Sequence, residues 1–318
     1  MISTEEIFRI IRGQVAVAEP LAPYTGLKIG GLADFLVKPA DRANLCKAVR
    51  FFDARGLPYF ILGKGTGVLV HDSGFRGAVI ATQYLDRYSI DHEAVEAEAG
   101  VPLSVLAEKT FQGFLGGLEL LQGIPGTVGG ALYMNAEAFG QEISERLEWV
   151  DVMRNGRVRR LKKESVPFGC RPSGLRNDVI LRAGFRLQKL TVREKQQRAL
   201  SRADALERRT PALAEGISNA GSIFRNPLNG PSGQRGMSAG ALMDECGLRG
   251  KRYGGASVSE THANIIVNNG GASSGDVLEL IRFARGEVHS RHGIALDLEI
   301  TLVGYQMKGC DGRFYPGK

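Results

Sequence analysis

A chain of 318 residues is long enough for two or three compact units. Its 43% hydrophobic and 24% charged residues are an ordinary globular balance, which excludes the disordered and fibrous classes. A net charge of +7 and an isoelectric point near 9.3 favour anionic partners, whether nucleic acid, a membrane surface or phosphorylated small molecules. The opening segment MISTEEIFRIIRGQVAV is acidic early and only briefly apolar, so it reads as neither a signal peptide nor a spanning helix, and a cytoplasmic protein is expected. Cys46, Cys170, Cys246 and Cys310 are far apart and form no C-x-x-C pair, so reduced thiols are expected and no metal site.

Asp41 followed by Leu45, Val49 and Phe52 spells a capped amphipathic helix, with Gly56 where it would end. Residues 58–62 are apolar enough for a buried strand, and 78–82 read as another. A second helix starts at Pro102, with Leu103, Leu106 and Phe111 inward and Gly113 closing it. The basic run RNGRVRRLKK at 154–163 flanks an Asn155-Gly156 turn signal. It interleaves no aromatic residue that could stack on bases, so it reads as a solvated hairpin and no nucleic-acid partner is expected. After a strand at 179–187, residues 191–209 are strongly charged, free of glycine and proline, and read as a linking helix. Ser273-x-x-Asp276 is a capping box, with Val277, Ile281, Ala284 and Val288 on one helical face. Alternation along 294–302 reads as a strand that carries Asp297 and Glu299 on one face. The glycine-containing tail at 308–318 reads as a loose surface end. Strands mixed with helices in this order define an α/β or α+β protein.

Two glycine-rich segments carry the functional signal. Gly63-Lys64-Gly65-Thr66-Gly67 follows the 58–62 strand, where backbone N–H groups could approach a pyrophosphate. It matches neither G-x-G-x-x-G nor the G-x-x-x-x-G-K-[ST] phosphate loop, so neither a nicotinamide-binding doubly wound fold nor an ATPase is supported. The second segment, Gly123-Ile124-Pro125-Gly126-Thr127-Val128-Gly129-Gly130-Ala131-Leu132-Tyr133-Met134-Asn135, holds more glycine than a helix or strand tolerates unless the chain passes close over a ligand.

Within GGLELLQGIPGTVGGALYMNA the sequence resembles the UDP-N-acetylenolpyruvoylglucosamine reductase family, also called UDP-N-acetylmuramate dehydrogenase. The resemblance runs from LKIGG at 27–31 to Gly304. It implies a vanillyl-alcohol-oxidase-type FAD-binding domain of two α/β subdomains (about 1–75 and 76–190), a linking helix at 191–209, a C-terminal α/β substrate-binding domain at 210–307 and a tail at 308–318. FAD is the implied cofactor, NADPH the co-substrate and UDP-N-acetylglucosamine-enolpyruvate the substrate, acted on by a monomer with no membrane partner. Ile29, Gly30, Gly31, Gly63, Lys64, Gly65, Thr66, Gly67, Gly123, Ile124, Pro125, Gly126, Thr127, Gly129, Gly130 and Asn135 would line the flavin site. The short spacing from Arg171 to Ser222 resembles the subtype that lacks an extra substrate-covering loop.

The same resemblance supplies the reacting residues. AGSIFRNP at 220–227 maps Ser222 onto the serine that protonates the carbanion centre, with Arg225 and Asn226 beside the substrate. FGCRPS at 168–173 makes Arg171 the residue that engages the substrate carboxylate, which suits a planar guanidinium fork. LDLEI at 296–300 maps Glu299 onto an active-site glutamate, expected in its acid form. VSETHAN at 258–264 places His262 and Asn264 toward the nucleotide, with His262 read as a hydrogen-bonded structural residue. Four residues at three places depart from the family pattern: Thr66-Gly67 stands for Ser-Asn, Glu137 for glycine, and Cys170 for tyrosine. They leave two alternatives beside an active reductase: another oxidoreductase of the same superfamily, or a flavin- or nucleotide-sugar-binding protein without turnover.

Overall fold

The structure is a computed structural model that describes residues 4–169, 173–209, 217–227, 237–307 and 314–316. The chain divides into two compact units. The first comprises Met1–Val17, Phe35–Lys64 and Gly77–Arg209, and the second Ala18–Asp34, Gly65–Arg76 and Thr210–Lys318.

Seven helices are described: α1 (Thr4–Ile10), α2 (Arg42–Ala54), α3 (Leu103–Gln112), α4 (Val128–Met134) and α5 (Val192–Arg209) in the first unit, and α6 (Ala239–Glu245) and α7 (Ser274–His292) in the second. Their starts follow the sequence signals. The Asp41 carboxylate accepts from Asn44 N at 2.8 Å and caps α2, and Pro102 stands at the N-cap of α3. At α7, Ser273 Oγ accepts from Asp276 N at 3.0 Å while the Asp276 carboxylate accepts from Ser273 N at 2.9 Å. Such reciprocal caps satisfy donors that a helix start leaves unpaired.

One sheet, most of whose residues belong to the first unit, has the order Gly13–Pro20, Leu32–Pro39, Phe75–Ala81, Tyr59–Leu62. Its last pair is parallel, with Tyr59 opposite Ala78 and Leu62 opposite Ala81. Leu45, Val49 and Phe52 of α2 pack there with Ile7, Val37, Ala78 and Ile80. Only Leu62 of the Tyr59–Leu62 strand is buried and the other three residues are half-buried, since it is the last strand of its sheet. A five-stranded antiparallel sheet has the order Arg157–Lys162, Leu147–Arg154, Val179–Arg186, Ala94–Glu98, Tyr88–Asp91. Asn155 and Gly156, at φ +50° and +71°, turn the expected hairpin in the left-handed pair of conformations that suits strand twist. Its basic strand is exposed except for half-buried Leu161.

In the second unit an antiparallel sheet has the order Ser218–Ser222, Ile265–Asn268, Ala256–Val258, Arg252–Tyr253. Val258 and Ile266 share one core with Val277, Ile281, Ala284 and Val288 of α7, and with Leu27, Ile29 and Leu69 from much earlier in the chain. Residues 294–302 are not the single strand that alternation suggested. Leu298 forms one antiparallel bridge with Phe224; beyond it the strand Thr301–Val303 runs parallel to Val68–Val70. The segment changes partner after that single bridge, so it is not one continuous strand. The tail reading is also revised in part, since Phe314–Pro316 pairs antiparallel with Tyr305–Met307; most of 308–318 lies outside the described residues. Cys46 and Cys246 are free thiols, and Cys170 and Cys310 lie outside the described residues.

Candidate active site

The second unit gathers Ser222, Arg225, Asn226, His262, Asn264 and Glu299. Ser222 ends a strand and pairs with Ile265, and its side chain is exposed. Asn264 clamps the following residues: its Oδ1 accepts from Phe224 N at 2.9 Å, its Nδ2 donates to Phe224 O at 2.8 Å, and its own carbonyl accepts from Ile223 N at 2.9 Å. On the other side of the segment, Arg225 N donates to Asp297 O at 2.9 Å and Glu299 N to Ile223 O at 2.8 Å. Glu299 thus lies across from Ile223, one residue from Ser222, and its carboxylate is 3.3 Å from Arg225 Nε. Glu299 is thereby brought beside Arg225 of the segment that follows Ser222. Asn226 Oδ1 accepts from Ala239 N at 3.0 Å and so ties the motif to the start of α6. His262 Nδ1 accepts from Asn264 N at 3.2 Å.

The proposed flavin residues fall in both units. In the second, Ile29 is 3% exposed, and its N–H and C=O both bond Thr25 Oγ1. Gly30 has φ +147° and a Cβ there would lie 2.9 Å from Val70 Cβ, while at Gly31 it would collide with the Asp72 carbonyl. At Gly65, φ +66°, it would strike the carbonyl of Tyr24. These glycines are required by the packing of the chain on itself. Gly67 is different: it is exposed, has no left-handed φ, and a Cβ would meet nothing within 4 Å. Thr66 precedes it, and the Gly67 carbonyl accepts from Thr301 N at 2.9 Å.

In the first unit, Lys64 is exposed and a Cβ on Gly63 would come 2.7 Å from Thr127 Oγ1. Thr127 caps α4 by accepting from Gly130 N at 3.3 Å. Ile124, Pro125 and Gly126 form the approach to that helix, and Gly126 has φ +151°. A Cβ on Gly129 would press on Ala99 at 2.8 Å, whereas Gly130 is exposed and meets only Thr127 Oγ1 at 3.5 Å. Asn135 ends α4 in the left-handed conformation. Its Nδ2 donates to Glu142 and to the Phe168 carbonyl at 2.9 and 3.0 Å, while its buried Oδ1 has no hydrogen-bond partner among the described residues. In the first unit, the buried oxygen on Asn135 that no described residue satisfies fits a polar group of a bound cofactor; in the second, neither conformation nor packing requires a glycine at 67.

Arg171 and Cys170 lie outside the described residues. The residues that flank them are anchored: Ser173 Oγ donates to Leu132 O and Ser173 N to Tyr133 O, both at 2.8 Å. Glu137, the departure closest to the second glycine segment, has Oε1 accepting from Gly140 N at 2.9 Å in its own hairpin turn. Sequence reasoning missed Glu119, a carboxylate only 5% exposed. The signal available was the basic spacing Lys195, Arg198, Arg202 along one face of α5. No group of three or more potential metal ligands occurs among the described residues.

Residues 33–162 match the model described as FAD binding domain, and residues 211–303 match the UDP-N-acetylenolpyruvoylglucosamine reductase C-terminal domain. Together they define the class as FAD-dependent oxidoreductases carrying a second, C-terminal domain. The chain is 42% identical, over 96% of its length and 98% of the relative's, to the UDP-N-acetylenolpyruvoylglucosamine reductase of Chloroherpeton thalassium. It is 40% identical over 92% of its length, and 95% of the relative's, to the protein of that name from Geobacter metallireducens. The crystal structure of UDP-N-acetylenolpyruvylglucosamine reductase (MurB) from Thermus caldophilus matches with a TM-score of 0.75 at 33% identity, covering 92% of this chain and 99% of that one. The chain belongs to the UDP-N-acetylenolpyruvoylglucosamine reductase family.

The two kinds of glycine are separable by substitution. Gly65→Ala is expected to lower unfolding stability by about 2 kcal/mol or more, through a strained φ and a backbone clash. Gly67→Ala should leave the melting temperature of the FAD-free protein unchanged and weaken FAD retention about tenfold, a loss of ~1.4 kcal/mol. Thermal melts and flavin fluorescence on the two purified variants check both expectations.

Proposed function

We propose that this chain reduces UDP-N-acetylglucosamine-enolpyruvate to UDP-N-acetylmuramate for peptidoglycan precursor synthesis, with FAD as cofactor and NADPH as reductant. The observation that carries the reading is the pairing of the Ser222 segment with the Glu299 segment, closed by the Arg225–Glu299 contact at 3.3 Å. Bound flavin, once reduced by NADPH, supplies the hydride. Residues 29–31, 63–67, 123–127, 129–130 and Asn135 would hold it.

Ser222 then donates the proton that completes addition across the double bond. A serine hydroxyl is a weak acid, so its transfer depends on being held beside the forming carbanion rather than on acidity. The bonds at Ile223 and Phe224 fix the strand end that carries the hydroxyl, which supports the reading. Arg171 would take the substrate carboxylate through two N–H bonds, and the acid form of Glu299, with Arg225 beside it, would stabilise the negative charge that builds next to it. Arg225, Asn226, His262 and Asn264 would form the substrate side. The division into an FAD-binding part at 1–190, a helix at 191–209 and a substrate-binding part at 210–307 belongs to the same proposal, as do a monomeric state, a cytoplasmic location, the absence of a nucleic-acid or membrane partner, and the loop-lacking subtype. No helix among the described residues is long and apolar enough to cross a membrane.

The test is anaerobic. Protein-bound FAD is reduced with NADPH, the enolpyruvyl nucleotide sugar is added, and flavin absorbance is followed. Return of the oxidised spectrum within seconds is expected. Flavin that stays reduced would leave a binding protein without this turnover, and re-oxidation only by other acceptors would point to another oxidoreductase of the superfamily.

A further inference from the structure

Two glycines and two arginines meet at residues 116–119. A Cβ on Gly116 would come 2.7 Å from Arg198 Nη1, and one on Gly117, whose φ is +120°, would come 2.6 Å from Arg146 Nε. The bare backbone lets both guanidinium groups lie against it. Arg198 of α5 thereby reaches Glu119 Oε1 at 2.7 Å, and the other carboxylate oxygen accepts from Gly117 N. A buried carboxylate is costly unless it is paired and hydrogen-bonded, and Glu119 is both. Burial pushes its carboxyl up, but the Gly117 and Glu119 N–H groups and Arg198 hold it below the usual carboxylate range.

The same face of α5 makes further grips. Arg202 bonds Glu108 and Gln122, and Gln122 Nε2 donates to Glu108 at 2.5 Å. Lys195 Nζ donates to Gln112 O at 2.9 Å and lies 3.8 Å from the Phe114 ring centre. Glu119 opens a 3-10 turn, Glu119–Gly123, that runs directly into the second glycine segment. The far end of that segment is fixed by backbone bonds: Leu103 N to Gly126 O, Val128 N to Val101 O and Gly129 N to Ala99 O, at 2.8 to 3.1 Å. Its near end is held by side chains: Gln141 Oε1 accepts from Leu120 N at 2.9 Å, and Glu119 and Gln122 are held to α5.

We propose that Glu119 is a positioning residue for the cofactor: gripped by Arg198, it sets where residues 123–126 begin and thereby how tightly FAD is held. The inference rests on the reading that residues 123–130 line the flavin site. It makes α5 a strap on the glycine segment as well as a connection in the chain.

Full-length Glu119→Gln keeps the side-chain volume and removes the charge. The expected result is a rise in the FAD dissociation constant of about tenfold, a shifted visible band for the bound flavin, and an unchanged KM for the nucleotide sugar at saturating FAD. Arg198→Lys, which keeps the charge and loses the fork, should fall between the parent and Glu119→Gln, and it serves as the readout if the first variant does not fold. An FAD affinity and spectrum equal to the parent's in either variant would overturn the proposal, as would a loss matched by an equal change in KM. Thr127→Ala, measured alongside, separates the two levels. If it weakens FAD while Glu119→Gln does not, the positioning role alone falls; if neither does, the assignment of the glycine segment falls too.

Discussion

Ser222→Ala should slow re-oxidation of the reduced flavin by the enolpyruvyl substrate about 10²- to 10⁴-fold, the span typical of a lost general acid. Reduction of the flavin by NADPH should proceed at the parent rate. The split follows from where the hydroxyl sits: it is exposed at the end of a strand, and the bonds on the next two residues hold that strand in place without it. Among the described residues no hydrogen bond to Ser222 Oγ is found and the side chain is exposed, so its loss should be felt in chemistry and not in stability. Stopped-flow spectra of the two half-reactions measure this directly. Cysteine at 222, with a smaller proton affinity and a similar reach, should recover part of the rate. Equal re-oxidation rates for parent and alanine variant would remove Ser222 from the reaction.

The second large effect is on stability. Asn264 is 3% exposed and faces Phe224, which is 1% exposed; one amide side chain satisfies both the N–H and the C=O of that residue. Asn264→Ala leaves both buried groups unpaired, at about 1–3 kcal/mol each. A loss of about 2–5 kcal/mol in urea unfolding is therefore expected. Asn264→Asp should recover part of it, because a carboxylate still accepts from Phe224 N while facing the carbonyl with the wrong polarity. A change below about 0.5 kcal/mol for the alanine variant, the range of ordinary surface substitutions, would show that the clamp is not holding the Ser222 segment.

What could be read from the sequence was whatever is decided within a few residues. The Asp41 cap, the Ser273–Asp276 box and the Asn155-Gly156 turn each state their structure locally, and each is found. The segment GGLELLQGIPGTVGGALYMNA gave the family for the same reason. Residues 294–302 show where such reading ends. Alternation was real, yet the chain spends it on two different partners, first Phe224 and then Val68–Val70, and only long-range pairing decides that. Glu119 was hidden differently: a single acid among glycines has no periodicity, and its partner lies 79 residues away. The glycines also needed the folded chain, because Gly65 and Gly67 look alike in sequence while a Cβ would strike the Tyr24 carbonyl at one and meet none of the described residues within 4 Å at the other.

The second unit is assembled from three separate stretches of chain. Leu27, Ile29 and Leu69 are part of its core, and Val68–Val70 is the parallel partner of a strand that begins at Thr301. During synthesis those early stretches emerge long before the residues that cover them. They must stay uncommitted until nearly the whole chain has been made, while α2, α3 and the sheets of the first unit already have their partners. Strand pairing over such a separation is slow, so completion of the second unit should be the late event in folding. A fragment starting at residue 210 would lack part of its own interior and should not fold alone.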